Sequence, residues 1–210
     1  MEKSFWGPSC WCAIHTACAS YKPENRISVK QFIYSLPYLL PCEYCREHLD
    51  QNLRTIPLND DILVNSKQLF IWSYFLHDLV NKQLKKKPSP TFPIAEQYYN
   101  NQIGNNVFWG PCFWRMIHAF AASYRPEVKS AFKQFIYSLP GVLPCKICQE
   151  HFLRTLTQIP LTDEYLRDSH NLFLWTYLLH DLVNKQLSKV SPPFEEIKAQ
   201  YFNINICKTC

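Results

Sequence analysis

An all-α fold built as two tandem four-helix bundles is the architecture this sequence predicts. Two observations carry it: the chain repeats itself at a spacing of 103 residues, and apolar residues within each copy recur at helical intervals. Phe5-Trp6-Gly7-Pro8 returns as Phe108-Trp109-Gly110-Pro111. Lys30 to Pro37 (KQFIYSLP) returns at Lys133 to Pro140, and His77 to Leu84 (HDLVNKQL) at His180 to Leu187. Pro41-Cys42-x-x-Cys45-x-x-His48 returns as Pro144-Cys145-x-x-Cys148-x-x-His151. Two repeats are too few for a solenoid, so the reading is two paired domains, 1–100 and 101–206, and a short tail, 207–210. The boundary falls in the polar stretch Asn100 to Asn106, which contains Gly104.

Each helix has a local reason. Pro8 is tolerated in a first turn and opens a helix to about Tyr21. Val29, Phe32, Ile33 and Leu36 follow the i, i+3, i+4, i+7 pattern of a second helix, which Pro37 and Pro41 close. Cys42 begins a third. Ser66 is an N-cap candidate for a fourth, with Leu69, Trp72, Leu76, Leu79 and Val80 on its apolar side. Phe194, Ile197 and Tyr201 mark a short fifth helix. No alternating strand pattern is present.

Composition removes several function classes. Gly is scarce at 4 residues, and neither G-x-G-x-x-G nor G-x-x-x-x-G-K-[ST] occurs, which argues against Rossmann and P-loop nucleotide sites. The net charge of +5 is modest, and Lys85-Lys86-Lys87 reads as a solvated helix end rather than a nucleic-acid patch. No segment is apolar enough to span a membrane, and Met1 to Ser4 carries no signal-peptide core, so a cytosolic location, or entry to an organelle by another route, is expected. Ten cysteines then point to metal or redox chemistry more than to structural bridges.

Cys42/Cys45 and Cys145/Cys148 each follow a proline and sit three apart on one helical face, close enough to bridge. A helix N-terminus stabilises thiolate at the first cysteine, as a reversible disulfide requires. Zinc is the rival, because Cys42, Cys45 and His48, or Cys145, Cys148 and His151, are three ligands within seven residues. The candidates for a fourth ligand in the first copy include Cys10, Cys12 and Cys18, but their counterparts are Phe113, Arg115 and Ala121, which weighs against a duplicated zinc site. A second constellation accompanies each pair. Trp11 and His15, His77 and Asn81, and their counterparts Trp114, His118, His180 and Asn184, pair at four-residue spacing. A flat aromatic cofactor needs this mixture of rings and hydrogen-bonding groups.

The series Trp-Gly-Pro-x-x-Trp-x-x-x-His, Pro-Cys-x-x-Cys-x-x-His and Trp-x-x-x-x-His-x-x-Val-Asn resembles the Erv/ALR sulfhydryl oxidases over nearly all of each copy. Its Leu-Pro-Cys form and compact copies look most like the branch found in large DNA viruses. The resemblance implies a helical bundle holding FAD beside the C-x-x-C disulfide. Carried over, Trp11, His15, His48, His77 and Asn81 line one flavin site, and Trp114, His118, His151, His180 and Asn184 the other, with Lys82 and Lys185 as weaker phosphate candidates. Two FADs per chain follow, and the dimer that family members form through their first helices becomes an intrachain pseudo-dimer. Cys42, Cys45, Cys145 and Cys148 are the catalytic candidates, with the second of each pair against the flavin. Cys207-Lys208-Thr209-Cys210 resembles the family's shuttle pair. The implied partners are thiol-containing protein substrates, a thioredoxin-like relay protein and oxygen, which becomes hydrogen peroxide. The implied setting is a viral assembly site or virion.

The chain departs from the family twice. Asp78 and Asp181 replace an Asn of the His-Asn-x-Val-Asn motif, and Tyr74 and Tyr177 stand where many members carry a structural cysteine. The unmatched Cys10, Cys12, Cys18 and Cys112 read as small core hydrophobes. Two alternatives stay open: a zinc-binding interaction module, and a catalytically silent structural pseudo-dimer.

Overall fold

The computed structural model describes residues 1–202 of the 210; residues 203–210, with the Cys207/Cys210 pair, lie outside the described residues. The described chain is helical throughout. The first half contains α1 (Lys3–Ala19), α2 (Arg26–Leu39), α3 (Glu43–Thr55), α4 (Ser66–Gln83) and the short α5 (Phe92–Gln102). The second repeats them as α6 (Asn106–Ala122), α7 (Lys129–Ser138), α8 (Lys146–Gln158), α9 (Ser169–Gln186) and α10 (Phe194–Phe202). The expected tandem bundles, each with a fifth helix, are therefore present.

Several boundaries differ from the sequence reading. The first helix starts at Lys3, so Pro8 lies inside it, as Pro111 lies inside α6. A proline forfeits the bond to the carbonyl four residues back, here on Ser4 or Val107. Both residues are exposed, so solvent reaches the carbonyl. Pro37 does not close α2, which continues to Leu39. In the second half the helix stops at Ser138 and Pro140-Gly141 form a tight turn. Gly141 replaces Tyr38 at the repeat spacing, and a Cβ there would overlap the Ser28 side chain of the first half. The fourth helix is capped by Asn65 rather than Ser66, through a 2.9 Å bond to the Gln68 amide, and Asp168 caps α9 in the same way.

In each half the first helix packs on the fourth, α1 on α4 and α6 on α9. The halves join through α1 against α6 and α2 against α7, and one continuous apolar core runs through both. Phe32, fully buried, touches Phe113 and Phe135 of the other half, with ring centroids 6.4 and 5.9 Å apart. Polar ties cross the seam from Gln134 Nε2 to the Gln31 carbonyl (3.2 Å) and from Arg125 Nη2 to the Tyr38 carbonyl (3.3 Å).

The reading of Cys12 and Cys112 as core hydrophobes is corrected. They form a disulfide between α1 and α6, with Cα atoms 6.0 Å apart. The bridge joins non-equivalent positions, because an isologous helix crossing sets position 12 of one copy against position 9 of the other. The reciprocal pair is Ser9 and Arg115, so only one bridge can form. Cys10 and Cys18 are free and buried, and burial pushes both thiols up, Cys18 to about 12, which keeps them protonated and inert.

The bridge closes a loop of 100 residues between the halves. A Cys12→Ser/Cys112→Ser chain should lose about 2–4 kcal/mol of stability. Urea unfolding followed by circular dichroism would show it as a lower midpoint; an unchanged midpoint would deny the bridge a stabilising part.

Candidate functional site

Each half carries one C-x-x-C disulfide at the start of its third helix. Cys42–Cys45 and Cys145–Cys148 are both closed, with Cα atoms 5.1 Å apart. The first cysteine of each pair is the helix N-cap, and its sulfur accepts the amide of the second at 3.2 Å. Together with the helix dipole, that amide favours negative charge on the first sulfur once the pair is reduced. The two sulfurs face different surroundings. Cys45 lines a cavity of about 660 Å³ in the first half and Cys148 one of about 300 Å³ in the second, whereas Cys42 and Cys145 line neither.

The cavity walls come from the first and fourth helices. Trp11 stacks on His77 with centroids 4.0 Å apart and planes 7° from parallel; Trp114 stacks on His180 at 3.9 Å and 6°. His48 and His151 join the lining beside the second cysteine. His15 and His118 lie behind this wall, buried, and join the first helix to the fourth. His15 Nε2 is 2.9 Å from His77 Nδ1, and His118 Nε2 is 3.0 Å from His180 Nδ1.

Sequence reasoning missed what fixes these rings. Ser73 Oγ donates to the Phe70 carbonyl at 2.9 Å and lies 3.0 Å from His15 Nδ1. Thr176 Oγ1 repeats this with Phe173 (2.8 Å) and His118 (2.9 Å). Each hydroxyl has spent its proton on a carbonyl, so it accepts from the histidine, and the protonation pattern follows by assignment. His15 carries its proton on Nδ1, His77 donates Nδ1–H to His15 Nε2, and His77 Nε2 keeps its lone pair. The legible signal was a hydroxyl four residues before the fourth-helix histidine in both copies.

These histidines are neutral. Burial, and then the neighbouring His77, pushes His15 down to about 3; burial and His180 do the same to His118. His77 and His180 fall to about 4 through burial and then Lys86 or Lys189. The pocket therefore presents uncharged donors and acceptors against flat rings.

Asn81 and Asn184 line companion cavities next to the histidine pair and donate to Ser89 and Ser191 at 3.0 Å. Lys82 and Lys185 are not brought to the cavities. They pair outward with Asp78 (2.8 Å) and Asp181 (2.6 Å), one turn back on their own helices. Two lysines at the cavities recur at the repeat spacing, Lys86, which lines both first-half spaces, and Lys189, which lines that of the second half; Lys3 and Lys87 also line first-half spaces. Lys86 belongs to a run read from sequence as a solvated helix end. In fact Lys85 adopts a left-handed φ of 50° just past α4 and the chain turns back across the cavity. Ser188 does the same at 55°.

The residues fit a flavin: parallel aromatic faces, neutral hydrogen-bonding histidines, a cation at the rim and a disulfide sulfur in the wall. The buried Trp6 Nε1, in a residue that lines the first cavity, has no hydrogen-bond partner among the described residues.

Two expectations follow from this geometry. The folded values of His15, His77, His118 and His180 lie below the ordinary value of 6.5, so the unfolded chain takes up protons first as pH falls. The stability they contribute is complete above pH 6.5 and is lost as pH falls towards 4 and 3. Urea midpoints should be flat between about pH 7 and 8 and should drop below the ordinary histidine value; a midpoint that rises on acidification would contradict neutral buried rings. Ser73→Ala should cost about 1–3 kcal/mol by stranding the His15 Nδ1–H, whereas Ser73→Thr, the residue used at 176, should be nearly neutral in the same assay.

Comparison with known proteins places these features in a wider group. Residues 8–100 and 111–202 each match the model of the Erv1 / Alr family. The chain is 36% identical over 99 residues to a protein named FAD-linked sulfhydryl oxidase from African swine fever virus, covering 45% of this chain and 81% of that one. It is 28% identical over 102 residues to a protein of Invertebrate iridescent virus 3 with the same activity in its name, covering 47% of this chain and 68% of that one. Rice ERV1, also named FAD-linked sulfhydryl oxidase, is 28% identical over 97 residues, covering 44% of this chain and 47% of the rice protein. No solved structure matches.

Proposed function

The chain belongs to the Erv1/Alr family, and we propose that it is an FAD-linked sulfhydryl oxidase in which each half forms disulfides in protein substrates. The observation that carries this reading is the closed C-x-x-C pair of each half, whose second sulfur lines an aromatic cavity while the first does not. The sulfurs a zinc module needs as thiolates are spent in these disulfides.

The exchange begins at Cys42 or Cys145. A substrate thiolate attacks that sulfur, a mixed disulfide forms, and the bond to Cys45 or Cys148 breaks, leaving the second cysteine as thiolate. A second substrate thiolate then attacks the substrate sulfur of the mixed disulfide. The substrate leaves oxidised and the pair is left as a dithiol. The Cys45 amide, 3.2 Å from the Cys42 sulfur, stabilises the thiolate released at that step, as the Cys148 amide does for Cys145. Trp11, His77 and Asn81, or Trp114, His180 and Asn184, would hold FAD beside the second cysteine, and Lys86 or Lys189 would face its phosphates. Bound FAD supplies the two-electron chemistry that restores the disulfide and passes electrons to oxygen as hydrogen peroxide.

Both halves keep every element of the motif, which supports two FADs per chain. The packing of α1 on α6 and α2 on α7 supports an intrachain pseudo-dimer that replaces a pair of separate chains. Cys207 and Cys210 act as the shuttle between protein thiols, or a thioredoxin-like relay, and the active-site pairs. The proposed setting is a cytoplasmic viral assembly site or the virion.

The purified chain should show an oxidised-flavin spectrum that a dithiol bleaches and air restores. Cys45→Ser should abolish turnover of the first half alone and Cys148→Ser that of the second, and the double variant should keep the absorption band yet consume no oxygen. A colourless protein that releases zinc on denaturation would sink the oxidase reading.

A further inference from the structure

The two halves share their site residues, but the spaces they enclose differ. The cavity beside Cys45 holds about 660 Å³ and the one beside Cys148 about 300 Å³. The companion spaces around Asn81 and Asn184 follow the same order, at about 640 and 170 Å³.

Two substitutions at the repeat spacing put larger side chains in the lining beside Cys148. Cys10 of the first cavity is replaced by Phe113, and Leu49 by Phe152. Both rings are nearly fully buried, at 3% and 5% exposure, so neither can swing out into solvent. Phe113 is held edge-on by Trp109 with centroids 6.1 Å apart, and from the other half by Phe32 at 6.4 Å. Phe152 leans on Trp114, the stacking wall of the cavity, at 6.2 Å. Moving Phe113 therefore means repacking the seam between the halves, where close-packed side chains resist displacement. Two further differences agree. The Trp109 Nε1–H is satisfied within the protein by the Ile103 carbonyl at 3.1 Å, whereas that of Trp6 has no partner among the described residues. The connection that closes the companion space is also one residue shorter after Leu187 than after Leu84.

We propose that the two flavin sites are unequal by construction: the first half binds FAD tightly, and Phe113 and Phe152 make the second half a weaker site. This rests on the sulfhydryl-oxidase reading and goes beyond it, because the duplicated motif by itself implies two equal sites. The first half then stays loaded, while occupancy of the second follows the free FAD concentration.

The test is equilibrium dialysis of the purified holoprotein against buffers of decreasing FAD concentration, with flavin per chain read from the absorbance released on denaturation. The expected curve has two steps, one equivalent leaving at a free FAD concentration at least about tenfold above that at which the other leaves, a gap of about 1.4 kcal/mol. Phe113→Cys/Phe152→Leu should move the weak step to within about threefold of the tight one. The reciprocal Cys10→Phe should weaken the tight step and leave the weak one in place, which assigns the steps to halves even if the double variant fails to fold. A single step for two equivalents in the unaltered protein, or a tight step unmoved by Cys10→Phe, would overturn the proposal while leaving the oxidase reading intact. No flavin retained at any FAD concentration would instead defeat the oxidase reading.

Discussion

The histidine pair between the first and fourth helices is the contact on which the rest of each half depends. His15 and His77 meet at 2.9 Å inside an apolar wall, and His118 and His180 at 3.0 Å. Buried imidazoles are stable there only if every ring nitrogen that needs a partner has one. Ser73 and Thr176 supply the inner end of that chain by passing their own protons to carbonyls. The pair then does two things at once. It locks α1 to α4, or α6 to α9, and it sets the outer ring parallel to Trp11 or Trp114 as the cavity wall. Scaffold and site are the same interaction.

Duplication within one chain changes what each half is free to become. Two separate chains of one sequence must present identical cavities and identical seams. Here the seam joins Cys12 to Cys112, and the reciprocal position holds Ser9 and Arg115. Gly141 lets the second half approach Ser28 where the first half has Tyr38. Phe113 belongs both to the seam and to the second cavity, so any refinement of the packing between halves alters the volume of one site and not the other. Asymmetry at the interface and asymmetry at the sites meet at Phe113 on α6.

The histidines, tryptophans and cysteine pairs were legible because each is a local pattern. Trp11 with His15 and His77 with Asn81 are four apart on one helix, and the spacing repeats in the second copy. The lysines were not legible in the same way. Lys82 and Lys185 follow the motif asparagine directly, yet helical geometry aims them at Asp78 and Asp181 one turn back. Lys86 and Lys189 reach the cavities because the chain reverses just past the helix end, through a left-handed residue that is neither glycine nor asparagine and so gives no sequence warning. Pro8 misled for the opposite reason: a proline marks a helix start only where its lost bond matters, and the exposed Ser4 carbonyl needs none.

The sequence by itself determined the helical class, the duplication, the reactive cysteine pairs and the rings that accompany them. Each is written as a periodicity within one helix or as an exact recurrence between copies, and helix geometry converts such spacing directly into a shared face. The tertiary structure alone decided that Cys12 meets Cys112, that Ser73 and Thr176 brace the histidines, and that the two cavities differ in volume. Those outcomes depend on how one helix crosses another, which is settled by side-chain packing summed over the whole interface and leaves no fixed interval in the chain.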